Sequence, residues 1–269
     1  MEKKYFFFDI DGTLTDRSTG KIVPSAREAL DCLEANGHFV AIATGRAHYK
    51  ARKFTEANGF KNMVCCGGNG CVINNELVEN IPLDKERCLQ IIHQSEELGY
   101  GWCVALDDTK DVYMTDDKFL RQVGKRKEPT RYIIDDMLDI DSVDAIYKIY
   151  VAIPKEEEEK LTKKELIGHL RFEPEYLMFQ PDNKRGGIVK MMEYLGVDIK
   201  NVVVFGDDYN DMDMFCKDWF SIAMGNGCQD LKDMASYVTD TNVNDGIKKA
   251  CEHLSLIHIS EPTRLGMIS

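Results

Sequence analysis

The sequence lacks the features typical of membrane-spanning, nucleic-acid-binding and zinc-binding proteins. No apolar run approaches the roughly 18 residues that a helix needs to cross a bilayer. Basic residues are in the minority, with 34 Lys and Arg against 46 Asp and Glu. The net charge of −12 argues against nucleic acid as a partner, because phosphate binding requires a basic face. The six His residues are scattered and no Cys-x-x-Cys occurs, so we expect no zinc site.

The start of the chain and its nine cysteines indicate in which cellular compartment the protein is located. Residues 1–4 lead directly into an apolar segment, without the longer apolar region and small-residue cleavage site of a signal peptide. An odd number of cysteines in a chain of 269 residues is typical of reduced thiols. We therefore expect a cytoplasmic protein with no membrane partner. The sequence gives no indication of an oligomeric state.

An aromatic run, Tyr5–Phe8, is followed by two carboxylates and a glycine. The run is apolar throughout, which is typical of a strand buried on both faces in a parallel sheet. Asp9 and Asp11 are two residues apart and so lie on one side of the strand end, where open parallel sheets bind ligands. Gly12 lets the backbone leave the sheet sharply. Taken alone, the pattern fits a simple turn that closes a strand about equally well.

Apolar runs alternate with helical periods along much of the chain, which predicts a parallel sheet with helices on its faces. From 82 to 181 the pattern changes to mixed strands and helices, and the first pattern resumes afterwards. We therefore predict one α/β domain from 1–81 and 182–254, and a separate α+β domain over 82–181. The predicted strands are 5–8, 39–43, 63–66, 72–73, 77–78, 102–106, 145–153, 177–179, 202–205, 222–224 and 237–239. The predicted helices are 24–36, 47–58, 85–98, 156–167, 187–195 and 245–253.

The last segment, 255–269, differs from the rest of the chain. It has no helical period, and Pro262 would break a helix. It resembles the in-frame translation of a transposon-end adapter used in sequencing libraries, and we interpret it as non-native. The alternative is a natural disordered tail.

Oxygen-bearing side chains follow three of the predicted parallel strands. They are Asp9, Asp11, Thr44, Asp207 and Asp211. Because the carboxyl ends of parallel strands meet at one crevice, we expect these side chains to lie together. Several carboxylates in a dry cleft require a cation, and oxygen ligands without His or Cys favour Mg²⁺. Thr44 and Lys184 can hold the oxygens of a phosphoryl group while an aspartate attacks in line.

The same residues lie in motifs that resemble those of the haloacid dehalogenase superfamily, and in particular its Cof-type (subfamily IIB) phosphatases. The resemblance covers about 5–254 and implies a Rossmann-like α/β core with an α/β cap inserted between the second and third motifs. One departure is Arg185, where the family commonly has Gly after the lysine. The segments that match the four motifs are 9–13, 43–46, 184 and 206–211, and those that match the C-terminal signature are 223–226 and 245–246.

The resemblance implies a role for each motif residue. Asp9 attacks phosphorus and forms an aspartyl phosphate. Asp11 protonates the leaving alcohol and then activates the water that hydrolyses the intermediate. Asp9, the backbone carbonyl of Asp11 and Asp207 hold Mg²⁺, and Asp211 orients the waters of the metal. The residues implied in phosphate binding are Thr44, Gly45, Lys184 and Asn210.

The function that the resemblance implies is Mg²⁺-dependent hydrolysis of a small phosphorylated metabolite, such as a sugar phosphate, selected by the cap. Two alternatives stay open: a phosphomutase of the same superfamily, and a non-enzymatic receiver-like domain that accepts a phosphoryl group. A nucleotide-binding module is disfavoured because no Gly-x-Gly-x-x-Gly follows the first strand. Asp208 and Asn210 could equally cap the following helix. Lys125, Arg126 and Lys127 form either a solvated face or a group that steers an anionic substrate.

Overall fold

The computed structural model describes residues 2–126 and 130–255 and shows a mixed α/β protein. Lys127 and the segment 256–269, for which the sequence suggested a steering role and a non-native tail, lie outside the described residues. The strands are β1 (Tyr5–Phe8), β2 (Phe39–Ala43), β3 (Met63–Cys65), β4 (Gly70–Ile73), β5 (Glu76–Asn80), β6 (Trp102–Ala105), β7 (Asp111–Met114), β8 (Arg131–Ile134), β9 (Lys148–Val151), β10 (His169–Glu173), β11 (Tyr176–Phe179), β12 (Val202–Gly206), β13 (Phe220–Ala223) and β14 (Tyr237–Val238). The α-helices are α1 (Pro24–Ala35), α2 (His48–Asn58), α3 (Lys85–Glu97), α4 (Lys118–Val123), α5 (Lys184–Leu195), α6 (Gln229–Met234) and α7 (Gly246–His253).

The chain folds into two compact units. The first comprises the described parts of 1–43 and 192–269, and the second comprises 44–191. Strands β6–β11 form one sheet, and all of them fall inside 82–181, the segment predicted as the inserted domain. The predicted boundaries at 81/82 and 181/182 stay predictions.

The first unit is built on five parallel strands in the order β14-β13-β12-β1-β2. Strand β1 lies between β12 and β2, and Tyr5 is paired with Val202 on one side and with Phe39 on the other. All four residues of β1 are buried, as expected for an apolar strand that has neighbours on both edges. The rings of Phe8 and Phe205 stack across the two strands, with centroids 4.7 Å apart. The predicted parallel α/β arrangement is confirmed.

Helices α1 and α7 of this unit pack against each other, so an early and a late segment of the chain lie side by side. Helix α1 begins at Pro24, whose missing N–H is no loss at the first helical position. Both helices carry small and apolar residues at helical spacing, which gives each one a buried stripe. The buried residues of α1 are Ala26, Ala29, Leu30 and Leu33, and those of α7 are Gly246, Ile247, Ala250 and Cys251.

The second unit contains an antiparallel run, β3–β5, and the sheet with the order β10-β11-β9-β6-β7-β8. Asn74 and Asn75 join β4 to β5 with positive φ angles of 52° and 67°, so the hairpin predicted with an Asn-Asn turn is confirmed. Residues of β6 alternate between two cores. Trp102 packs in the core that includes α3, and Cys103 packs in the core that includes Phe119 of α4.

One predicted helix is wrong. The segment 156–167 forms two short 3₁₀ helices, Lys155–Lys160 and Thr162–Leu166, and Leu161 between them has ψ 77° and is fully buried. Four consecutive glutamates repel one another, and the segment has too few apolar residues at i, i+3 and i+4 to give an α-helix a buried stripe. Lys164, near the end of this charged segment, is buried with 8% exposed and pairs with Glu159 at 2.6 Å.

Several elements of the second unit were not predicted. Helix α4 has six residues, too few to show a helical period, and β8 is an edge strand with exposed residues at both ends. Arg126 does not lie on an open surface, because its guanidinium lies over the ring of Tyr150, 3.7 Å from the centroid. Across the described ranges, every helix is too short or too polar to span a bilayer.

Candidate functional site

Three buried carboxylates lie at the ends of two neighbouring parallel strands. Asp9 directly follows β1, Asp207 directly follows β12, and Asp211 lies in the 3₁₀ helix Tyr209–Met214. One carboxylate oxygen from each lies within 4.8 Å of the others. The exposed fractions are 5% for Asp9, 2% for Asp207 and 0% for Asp211. Strands β1 and β12 pair in parallel, so their ends fall at the same edge of the sheet, and the structure brings these three predicted residues together there.

Asp207 is the residue of this cluster with the strongest electrostatic constraint. Burial raises its pKa from the usual 3.8 to about 6, and the neighbouring carboxylate of Asp211 adds to the effect. Two hydrogen bonds oppose the increase: Thr13 Oγ1 donates to Oδ1 at 2.8 Å, and Arg17 Nη2 donates to Oδ2 at 2.8 Å. Arg17 also donates to Asp208 at 3.1 Å. The cluster therefore favours the uptake of a proton or of a cation.

The position of Asp211 is fixed by the backbone of the loop that follows β12. The N–H groups of Asp207 and Asp208 donate to its Oδ2 at 2.9 and 3.1 Å. In return, the side chain of Asp208 accepts from the N–H of Asp211, which completes a capping box, and its Oδ1 also accepts from the N–H of Tyr209 at 2.9 Å. Asp208 thus has the capping role that was one of its two interpretations. A side chain at Gly206 would bring a Cβ within 2.8 Å of the Asp211 Cβ, which explains the glycine before the first aspartate.

In the second unit, a tight turn over 66–68 holds the two segments that carry Thr44 and Lys184. The N–H of Gly67 donates to the carbonyl of Thr44 at 3.2 Å, and the N–H of Asn183 donates to the carbonyl of Gly67 at 2.8 Å. Thr44 and Lys184 are buried, with exposed fractions of 2% and 1%. The second and third motifs therefore depend on the same turn.

The remaining predicted residues are Asp11, Asn210 and Gly45. Asp11 and Asn210 are near the carboxylates in sequence, and Gly45 follows Thr44. The N–H of Asp11 donates to Asp9 Oδ2 at 2.9 Å, and the side chain of Asp11 is exposed. Asn210 is half-buried on the same 3₁₀ helix as Asp211. Gly45 leaves space for Gln180, whose Nε2 would lie 3.0 Å from a Cβ at that position. The roles assigned to Asp11, Asn210 and Gly45 stay predictions.

Three residues beside the carboxylates were given no role from the sequence. Thr13 and Arg17 donate to Asp207, as described above, and Asn226 Nδ2 donates to the carbonyl of Gly12 at 2.8 Å. Thr13 and Asn226 lie inside motif segments, so their position could have identified them. Arg17 lies in a polar turn with no pattern of its own, and the fold alone reveals its contact.

The carboxylate cluster fits a hard divalent cation. Its donors are carboxylate oxygens that lie near one another, they are buried, and burial together with the neighbouring Asp211 carboxylate raises the pKa of Asp207. The residues that could hold such a cation are Asp9, Asp207 and Asp211.

Comparison with known proteins places this architecture in a family. The family model for haloacid dehalogenase-like hydrolases matches residues 6–251. The putative phosphatase YkrA of Bacillus subtilis strain 168 is 29% identical over 260 residues, which cover 96% of this chain and 100% of that protein. The 5-amino-6-(5-phospho-D-ribitylamino)uracil phosphatase YcsE of the same strain is 27% identical, covering 94% of this chain and 96% of its own.

A solved structure agrees with these sequence matches. The crystal structure of a hypothetical protein from Geobacillus kaustophilus HTA426 superposes with a TM-score of 0.79 and is 26% identical to this chain. The superposition covers 95% of this chain and 100% of that one.

The raised pKa of Asp207 predicts that, without a bound metal, the free energy of unfolding falls as the pH rises. Because the folded pKa of about 6 exceeds the usual 3.8, stability is lost as the pH rises through that interval. In chelator, Asp207→Asn should therefore increase the free energy of unfolding by about 3 kcal/mol near pH 7 and by little near pH 4. Urea unfolding at several pH values measures this, with the exposed Asp31→Asn as the control. Equal stability of Asp207→Asn and the wild type at pH 7 would contradict it.

The turn at 66–68 predicts that two glycines with similar φ angles differ in how much stability their replacement by alanine costs. Gly67 and Gly59 have φ angles of 61° and 76°, but a Cβ at Gly67 would lie 1.9 Å from the carbonyl oxygen of Pro181, whereas at Gly59 nothing lies within 4 Å. Gly59→Ala should cost about 1 kcal/mol for the left-handed conformation. Gly67→Ala should cost a further 1–3 kcal/mol or so for the clash. Thermal unfolding of both variants tests this, and equal losses of stability would refute the clash.

Proposed function

The chain belongs to the haloacid dehalogenase-like hydrolase family and is a phosphoric monoester hydrolase, and we propose that it hydrolyses small phosphorylated metabolites through an aspartyl phosphate on Asp9. The observation that carries this proposal is the cluster of Asp9, Asp207 and Asp211 at the ends of β1 and β12. A carboxylate at that place can attack phosphorus, and its two buried neighbours can hold the cation that phosphate chemistry requires.

The roles of Asp9 and Asp11 follow from their different surroundings. Asp9 is buried, and its Oδ2 accepts the N–H of Asp11 at 2.9 Å, which orients the carboxylate. We assign to Asp9 the attack on phosphorus. The side chain of Asp11 is two residues further on and exposed, so it can exchange protons with solvent between the two half-reactions. We assign to Asp11 the protonation of the leaving oxygen, and then the removal of a proton from the attacking water.

The cation in this proposal is Mg²⁺. Asp9, the backbone carbonyl of Asp11 and Asp207 would hold it, and Asp211, whose Oδ2 is anchored by two backbone N–H groups, would orient its waters. When bound, the ion supplies positive charge that offsets the negative charge of the phosphoryl group during attack. Thr13 keeps one oxygen of Asp207 in place by its hydrogen bond.

Binding of the phosphoryl oxygens is assigned on the basis of the matched motifs. The residues concerned are Thr44, Gly45, Lys184 and Asn210. Buried Lys184 is a suitable charge for a phosphate, and Thr44 supplies a hydroxyl donor. That the turn at 66–68 holds the segments of both supports a joint role for them.

The substrate class is a phosphate monoester of a small metabolite, such as a sugar phosphate. The relatives named above support this class of substrate without identifying one compound. YcsE, for example, is named as the phosphatase of a phosphorylated ribitylaminouracil. The net charge of −12 disfavours nucleic acid as the substrate. A screen of phosphorylated metabolites would identify the preferred compound.

The assignment of Asp9 and Asp11 predicts that Asp11→Asn separates the two half-reactions. With p-nitrophenyl phosphate, whose leaving group needs little protonation, Asp9 should still be phosphorylated. Hydrolysis of the intermediate should be slower by about 10²–10⁴-fold, because water lacks its base. The expected time course is a burst of up to one equivalent followed by a slow steady rate. Mass spectrometry after rapid quenching should find one phosphoryl group on the peptide that contains Asp9.

The controls for this experiment are Asp9→Asn, which should show neither burst nor turnover, and Asp31→Asn, which should behave as the wild type. A label on another residue, or turnover by Asp9→Asn at the wild-type rate, would overturn the mechanism. Dependence of turnover on a sugar bisphosphate would favour the phosphomutase, and a long-lived phosphorylated wild-type protein would favour the receiver-like domain.

Removal of divalent cations should abolish hydrolysis, and added Mg²⁺ should restore it. Because Asp207 retains its proton up to a pH of about 6, more Mg²⁺ should be needed for half-maximal activity at about pH 5 than at about pH 7. Chelator saturated with Mg²⁺ beforehand is the control for side effects of the chelator. Full activity after exhaustive chelation would exclude the proposed cation.

A further inference from the structure

The acid loop, residues 10–15, follows β1 and is closed at its base by its own groups. The N–H and Oγ1 of Thr15 both donate to the carbonyl of Ile10, at 2.9 and 2.8 Å. In the middle of the acid loop, Gly12 has a φ of +99°, and a Cβ there would lie 2.3 Å from Oδ2 of Asp207. The acid loop is therefore a closed turn that lies directly against the carboxylate cluster.

Two asparagines from the late part of the chain bind the backbone of the acid loop. Asn226 Nδ2 donates to the carbonyl of Gly12 at 2.8 Å, and Asn242 Nδ2 donates to the carbonyl of Thr15 at 2.8 Å. The two asparagines are also joined to each other, because the N–H of Asn242 donates to Oδ1 of Asn226 at 2.9 Å. These three hydrogen bonds, the asparagine relay, hold the acid loop at two points.

Backbone partners fix the orientation of both side-chain amides in the asparagine relay. Oδ1 of Asn242 accepts from the N–H of Val243 at 3.0 Å, and Oδ1 of Asn226 accepts from the N–H of Asn242. A backbone carbonyl only accepts and a backbone N–H only donates, so a rotation of either amide by 180° would lose both of its bonds. An aspartate at either position would lack the donor, so the relay requires asparagine.

The segment that contains Asn226 also binds the loop that carries Asp207. The N–H of Cys228 donates to the carbonyl of Asp207 at 2.9 Å. Thr13 of the acid loop donates to the carboxylate of the same aspartate at 2.8 Å. The asparagine relay therefore belongs to a network that ties the acid loop to the carboxylate cluster through the backbone as well as through Thr13.

The asparagine relay restrains the backbone next to Asp11. The N–H of Asp11 donates to Oδ2 of Asp9 at 2.9 Å, which fixes the peptide group before it. After it comes Gly12, whose lack of a Cβ would allow many backbone conformations. The hydrogen bond from Asn226 to the Gly12 carbonyl limits this freedom. Because the backbone sets the direction of the Cα–Cβ bond, the two restraints together set the region that the Asp11 carboxylate can reach.

We propose that Asn226 and Asn242 are positioning residues that fix the backbone of the acid loop and thereby direct the carboxylate of Asp11 at the leaving oxygen of the substrate. This inference rests on the role proposed for Asp11. A displaced acid protonates a poor leaving group less effectively, whereas a good leaving group has little need of the proton. The loss of the asparagine relay should therefore depend on the leaving group.

The test compares phenyl phosphate with p-nitrophenyl phosphate, two esters of similar shape whose leaving groups differ in their need for a proton. The ratio kcat/KM reports the transfer to Asp9, before hydrolysis of the intermediate. Asn226→Ala and Asn242→Ala should each lower kcat/KM about tenfold more for phenyl phosphate than for p-nitrophenyl phosphate. Asn226→Asp keeps the acceptor for Asn242 but loses the donor to Gly12, so it should show the same selective loss.

The matched control is Asn244→Ala, which changes an exposed asparagine of the same short 3₁₀ helix, Asn242–Asn244, and should behave as the wild type. Partial unfolding or weaker binding of a cation would lower kcat/KM for both esters by the same factor. Equal losses for the two esters would therefore overturn the proposal, and so would a selective loss in Asn244→Ala.

Hydrogen exchange measures the positioning without any substrate. The peptide that covers 9–16 should exchange about tenfold faster in Asn226→Ala and Asn242→Ala than in Asn244→Ala, because the acid loop opens more often. Equal exchange in the three variants would overturn the proposal whatever their activities. If Asp11→Asn itself loses equally on the two esters, the role proposed for Asp11 fails, and the exchange rates alone then decide whether the asparagine relay holds the acid loop.

Discussion

The removal of three carboxylates from water is the constraint on which the first unit depends. Asp9 and Asp207 are buried because the strands that precede them are buried, and burying a charge is costly unless it is paired or hydrogen-bonded. The chain meets this cost with its own groups. Thr13 and Arg17 donate to Asp207, and two backbone N–H groups donate to Asp211. What remains uncompensated appears as the raised pKa of Asp207, and that residual demand for positive charge is the property a metal site requires.

The second unit is subject to a different constraint. It must hold the segments that carry Thr44 and Lys184, which are distant in the chain, at fixed backbone positions. The turn at 66–68 does this with main-chain hydrogen bonds to Thr44 on one side and from Asn183 on the other. Backbone contacts of this kind do not depend on which side chains the segments carry. The departure from the family pattern at Arg185 therefore leaves the support of Lys184 intact, since that support comes from Asn183 and Gly67.

Much of the fold could be predicted because its strands are strongly patterned. Tyr5–Phe8 and Val202–Gly206 are almost wholly apolar, and each is followed by an aspartate, so both the sheet and its functional edge could be read from the sequence. Short, polar or edge elements such as α4 and β8 show no period. The charged segment 156–167 was predicted as a helix although it could not form an apolar stripe. Arg17 could not be identified from the sequence, because its contact with Asp207 joins residues 190 positions apart.

Arg17 has one further consequence, which concerns the arrival of a cation. Its guanidinium lies 2.8 Å from Asp207 Oδ2, while 61% of its side chain faces solvent, so the protein supplies a removable counter-ion to its own carboxylates. Binding of the proposed cation at Asp207 would then be an exchange with this guanidinium, in which one largely exposed side chain moves further into solvent.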